Sequence, residues 1–148
     1  MMKKSLFLLA MLVMSFGFFI SCDNDDDKQI SYQKLPVAAQ EFVESYFEGS
    51  TIVAIFYDKD FSDREYKVTF VDGSTVSFDR SGEWEEIYMP FGIDADLIPM
   101  KILDFVEARH PNARIIQIDR DRRDIEVELS NGLDLIFDLN YNFVRYDD

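Results

Sequence analysis

Residues 66–84 read YKVTFVDGSTVSFDRSGEW and residues 125–143 read IEVELSNGLDLIFDLNYNF. At an offset of 59, Tyr66, Val68, Phe70, Asp72-Gly73, Val76, Phe78-Asp79 and Trp84 fall on Ile125, Val127, Leu129, Asn131-Gly132, Leu135, Phe137-Asp138 and Phe143. In the first stretch Tyr66, Val68 and Phe70 alternate with Lys67 and Thr69. Period-two alternation of this kind marks a strand buried on one side only. Asp-Gly and Asn-Gly between such runs are favoured centres of two-residue hairpin turns, so consecutive strands pair antiparallel. Tyr141 stands where the first stretch has Gly82, which leaves those two turns open to differ.

The match continues upstream. Leu35-Pro36 and Phe42-Val43 fall on Ile98-Pro99 and Phe105-Val106 at an offset of 63, and Ile52-Val53-Ala54-Ile55 falls on Ile115-Ile116-Gln117-Ile118 at the same offset. One loop, four residues longer in the first copy, accounts for the change from 63 to 59. So many matched positions with a single change of loop length read as a tandem duplication. Each copy is one helix followed by about four strands. Pro36 suits a first helical turn, Val37, Phe42, Val43 and Phe47 supply an apolar side, and Gly49 stops the helix. Pro111 ends the second helix, because the residue before it, His110, is steered away from helical geometry. The predicted fold is therefore α+β in two layers, with two helices on one face of an eight-stranded antiparallel sheet. A single domain over 33–148 comprises repeats 33–88 and 97–148, linked through Met89–Leu97.

The start of the chain is an address. Lys3 and Lys4 precede an apolar run from Leu6 to Ile20, too short to span a bilayer, which takes about 20 apolar residues. Residues 1–21 are read as a signal peptide. Phe19-Ile20-Ser21-Cys22 resembles the lipobox of bacterial lipoproteins, whose cysteine is acylated and becomes the first mature residue. Cys22 is the chain's one cysteine, so the mature protein can form no internal disulfide. Asp23-Asn24-Asp25-Asp26-Asp27-Lys28-Gln29 has nothing to bury, and residues 22–32 are expected to be a disordered acidic tether. Acidic runs behind a lipidated cysteine resemble the export signal of Bacteroidetes-type lipoproteins. The expected location is the outer membrane, on its cell-surface or periplasmic face, held through the lipid anchor.

The whole chain carries 15 Lys and Arg against 29 Asp and Glu, a formal net charge of −14. Phosphate backbones and anionic lipid surfaces would repel it, which excludes nucleic acid as a partner. No cofactor fingerprint or nucleophile motif is present. A single histidine, His110 at a helix end, reads as a cap interacting with the helix dipole. Asp58, Asp60 and Ser62 start like a calcium loop, but Asp63 replaces the glycine and Thr69 the bidentate glutamate that such a loop needs. Asp119-Arg120-Asp121-Arg122-Arg123-Asp124 balances its own charge, and Glu83, Glu85 and Glu86 beside Trp84 lie too close along one strand for a pair of catalytic carboxylates. We therefore expect no metal site, no cofactor and no enzyme.

With helices on one face, the other face of the sheet is left open. Lys67, Thr69, Thr75, Ser77, Glu126, Glu128 and Asp134 are expected there, together with an apolar set of Ile52, Ala54, Phe56, Ile115 and Ile136. Contiguous exposed apolar patches mark binding sites. The doubled L-P, helix and V-x-F-x-D-G-x-x-V-x-F-D-x-x-G-x-W pattern resembles the PepSY-like, β-lactamase-inhibitor-like lipoproteins over residues 33–148. Inhibitors of similar fold grip an enzyme with the open sheet face and its loops. The resemblance thus implies a protein-binding role for Ile52, Phe56, Tyr57 and Ile136, with inhibition of a hydrolase as one form of it. The competing expectation is a small-ligand or cation sensor using the loops at 58–63 and 119–124.

Overall fold

The computed structural model describes residues 28–58 and 65–147. The signal peptide, Cys22 and most of the acidic segment lie outside the described residues, as does most of the loop at 58–63. Nine antiparallel strands form one sheet in which each strand lies beside its chain neighbour, from β1 to β9 in order. These are β1 (Lys28–Gln29), β2 (Ile52–Tyr57), β3 (Tyr66–Phe70), β4 (Thr75–Phe78), β5 (Trp84–Tyr88), β6 (Ile115–Arg120), β7 (Ile125–Leu129), β8 (Asp134–Phe137) and β9 (Phe143–Asp147). The helices are α1 (Val37–Tyr46) and α2 (Met100–Arg109), each preceded by a single 3-10 turn. The expected count of eight strands is thus one short. The ninth comes from Lys28 and Gln29, within the segment read as a tether, which pair with Tyr57 and Phe56.

Both helices cover the same face. Ala39 and Val43 of α1 and Ile102 and Val106 of α2 join Val68, Val76, Phe78, Ile87, Ile118, Val127, Leu135 and Phe137 in one buried cluster. Edge-to-face ring contacts lock each helix to its own strands, Phe42 on Phe78 at 5.6 Å and Phe105 on Phe137 at 5.6 Å. The alternation read at 66–70 places Val68 and Phe70 in this core and Lys67 outside it.

The hairpins are one residue longer than their Asp-Gly and Asn-Gly centres imply. Phe70 N donates to Ser74 O and Leu129 N to Leu133 O, so the loops are 71–73 and 130–132. A two-residue type I′ turn needs positive φ at both centres. Only the glycines have it, Gly73 at 88° and Gly132 at 85°. Asp72 and Asn131 spend their side chains instead on the amides of Ser74 and Leu133. The second turn also recurs: Tyr141 takes φ 65° where Gly82 takes 91°, and both amides donate back to the carbonyl of Asp79 or Asp138 three residues earlier. The two turns do not differ.

β2 and β6 each contain a bulge, between Ile52 and Ala54 and between Ile115 and Gln117. One extra residue in one strand reverses which side the residues before it face. Ile52 therefore sits opposite Phe70 and Ile115 opposite Leu129, on the helix side.

Candidate functional site

The strand registers define the open face row by row. Gln29, Phe56, Lys67, Ser77, Glu86, Asp119, Glu126, Ile136 and Arg145 face one another in turn across all nine strands. A parallel row runs Ala54, Thr69, Thr75, Tyr88, Gln117, Glu128, Asp134, Asp147. Three carboxylates, Glu86, Asp119 and Glu126, are thus immediate cross-strand neighbours at the middle of the sheet. Like charges directly opposite one another destabilise a sheet. The Glu126 carboxyl is held above its ordinary range, first by burial and then by Asp134, Asp147, Asp119 and Asp124.

The expected apolar patch does not form. Of the four residues named for binding, only Phe56 is on the open face and exposed, at 37%. Ile52 is turned into the helix side by the bulge and packs against the core. Ile115, expected outward, is buried there for the same reason. Tyr57, one residue from Phe56, points to the helix side and packs on Tyr66 with ring centres 5.1 Å apart. Ile136 does lie on the open face, but it is buried at 3% exposure between its cross-strand neighbours Glu126 and Arg145. Ser77 occupies the matching place in the first half and is equally buried.

Sequence reading missed Glu86 and Asp119 as neighbours, because their pairing depends on the register of β5 against β6, separated by the whole of α2. The one signal was the replacement of Phe56 by Asp119 at the 63-residue offset. Beside them the halves are clamped. The Arg120 guanidinium lies 3.8 Å over the Trp84 ring and its Nη2 donates to the Trp84 carbonyl. The loop after it is ordered by Asp121 Oδ1, which accepts from the amides of Arg123 and Asp124. His110 caps α2 through its own amide, and its Nε2 lies 3.0 Å from Tyr146 Oη.

Two open grooves, on the helix side of the sheet, complete the picture. One is lined by Tyr32, Val43, Glu44, Phe47, Glu48 and Ile52. The other is lined in part by Val106, Glu107 and Ile115, the counterparts of Val43, Glu44 and Ile52. Among the described residues no group of three His, Cys, Asp or Glu side chains is placed to hold a metal ion. No described helix is long and apolar enough to cross a membrane.

A two-layer α+β domain with one sheet face bare and charged belongs to the class of open-faced sheet domains. Residues 64–145 match the family described as "Putative beta-lactamase-inhibitor-like, PepSY-like", and the chain belongs to that family. The structure is similar to that of a "putative calcium-regulated periplasmic protein" from Bacteroides thetaiotaomicron, with a TM-score of 0.80 and 35% identity over 85% of this chain and 100% of the other. Two periplasmic proteins from Bacteroides vulgatus, one described as of unknown function, are also similar. Their TM-scores are 0.79 and 0.76 at 32% and 30% identity, covering 85% and 82% of this chain and 100% and 99% of theirs. None of these descriptions names an enzymatic activity. Comparison with curated proteins finds no match.

Proposed function

We propose that this chain is a non-enzymatic module of the cell envelope, lipid-anchored at Cys22 to the outer membrane, that binds a protein with a basic surface through its open sheet face. The observation that carries this reading is the row Glu86, Asp119, Glu126, three carboxylates opposed on adjacent strands of the open face. A cationic partner would meet three carboxylates side by side, and Phe56 and Tyr88 offer apolar contact on the same face. Inhibition of a hydrolase is one form of this role, supported by the family's description alone. The same reading takes residues 33–88 and 97–148 as two copies of one unit. Its support is the recurrence of both helices, both bulges and both turns at offsets of 63 and 59.

The test is a cross-linked pull-down from native envelope, with the parent beside a Glu86→Gln, Asp119→Asn, Glu126→Gln variant and a Phe56→Asp variant. A partner captured by the parent and lost in both variants supports the reading. Capture that the triple variant leaves unchanged removes it.

Calcium sensing is the second reading, favoured by the description of the Bacteroides thetaiotaomicron relative. Melting in about 1 mM calcium, the range of weak extracellular sites, against the same magnesium concentration decides it. A calcium-specific rise in Tm supports a sensor, and equal curves remove it.

A further inference from the structure

The two outer edges of the sheet differ in how they are closed. β2, with the sequence IVAIFY, is an apolar strand, and such strands at an edge invite pairing with another chain. Among the described residues its outer side is covered by two residues of β1 and by one further bond, from Ile30 N to Ile55 O at 2.9 Å. Among the described residues nothing pairs with the outer side of Ile52–Ala54, and Val53 is 59% exposed. At the far end, among the described residues, β9 pairs with β8 alone.

The interior of the sheet contains the joint that these edges would make. β6 matches β2 at an offset of 63, and β5 matches β9 at an offset of 59. β5 pairs with β6 through Glu86 opposite Asp119, Ile87 opposite Ile118 and Tyr88 opposite Gln117. Carried to the ends, the same register sets Arg145 of one copy opposite Phe56 of the next, Tyr146 opposite Ile55 and Asp147 opposite Ala54. No pair brings like charges together, and Arg145 meets an aromatic ring. β1 now occupies that place, since Gln29 faces Phe56 as Glu86 faces Asp119.

We propose that the outer edge of β2 is a docking site for β9 of a second copy of this chain, in the β5–β6 register, and that β1 is the cap holding the site closed. The joint is head to tail, so copies with the cap lifted add one after another instead of stopping at a symmetric pair.

The variants are built on the mature chain, residues 22–148, carrying Cys22→Ser, which removes the only thiol. Ile30 N points at β2, and in an antiparallel ladder Lys28 N does so too while Gln29 N points away. Lys28→Pro with Ile30→Pro therefore weakens the cap, and Gln29→Pro is its control. We expect the parent and the control to sediment as monomers and the cap variant to form larger species as concentration rises. Adding Tyr146→Pro, at the β9 position matching Ile87, should return the cap variant to monomer. Phe56→Cys with Arg145→Cys should form an intermolecular disulfide under mild oxidation, with a roughly ten-fold gain in yield when the cap's bonds are removed. Phe56→Cys with Asp147→Cys, two residues out of register, should not. A cap variant that melts cooperatively yet stays monomeric overturns the proposal, as does association that Tyr146→Pro leaves intact. Should the cap variant fail to fold, the disulfide trap on the unaltered cap decides. Equal yields from the 145 and 147 pairs then overturn it.

Discussion

Asp79 and Asp138 show how single residues fix this fold. Asp79 Oδ1 accepts from the amides of Ser81 and Glu83 and from the Ser81 hydroxyl, and Asp138 Oδ1 accepts from the amides of Asn140 and Asn142. Burial pushes the Asp79 carboxyl up, but the bonds from Ser81, Glu83 and Gly82 outweigh it and bring it below its ordinary range. The bonds from Asn142, first among the causes, bring Asp138 down as well. A carboxyl lowered in the folded state stabilises above its unfolded pKa, and that stability is lost as pH falls through the folded value. Asp79→Ala should cost about 1–3 kcal/mol at pH 7, with the deficit shrinking in acid, measured by urea unfolding across pH. Gly82 and Gly132 give a paired test, since both have positive φ but only one is crowded. A Cβ at Gly82 would stand 2.8 Å from Ala39 N, and one at Gly132 meets nothing within 4 Å. Gly132→Ala should cost about 1–2 kcal/mol and Gly82→Ala about 2–4, the difference being the clash with α1. Tyr141, at φ 65° in the matching turn, shows that a side chain can take this conformation and that the turn does not require glycine.

At the scale of elements, alternation in the sequence located the strands, and the helices end near the residues expected, α1 at Tyr46 before Gly49 and α2 at Arg109 before Pro111. What the sequence could not carry is parity across a bulge. Ile52, Ala54 and Phe56 share a face only if the strand is regular, and the extra residue sends Ile52 to the core while Phe56 stays out. The same device hides Ile115. Pairing between distant strands was equally illegible, because the link from β5 to β6 passes through α2 and leaves no turn signature to set the register. That joint has three cross-strand pairs and the Arg120 clamp on Trp84. Arg120→Ala should therefore cost about 1–2 kcal/mol, and Arg120→Lys should recover less than half, because an ammonium cannot lie flat on the ring while bonding the carbonyl. A double-mutant cycle with Trp84→Leu would read the coupling.

For the whole molecule the acidic centre of the open face opposes the aspartate turns in its response to pH. Glu126 is raised, first by burial and then by its acidic neighbours, so the cost of ionising it is fully felt above its folded value and is relieved as pH falls through that value, which raises stability. Asp79 and Asp138 lose their contribution only at lower pH. Stability should accordingly peak on the acid side of neutrality, as read by melting temperature across a pH series. Glu126→Gln should raise Tm at pH 7 and flatten the rise toward acid.

The strand order also has a temporal meaning. Every strand lies beside the one made just before it, so no segment must wait for a distant partner before it can pair. A chain emerging from a ribosome or a membrane pore with its beginning first can close β1 through β5 under α1 while the rest is still inside. The second half then grows on an edge already in place. Such a domain assembles in the direction of its own synthesis, its longest closures being the two helix crossings from β1 to β2 and from β5 to β6.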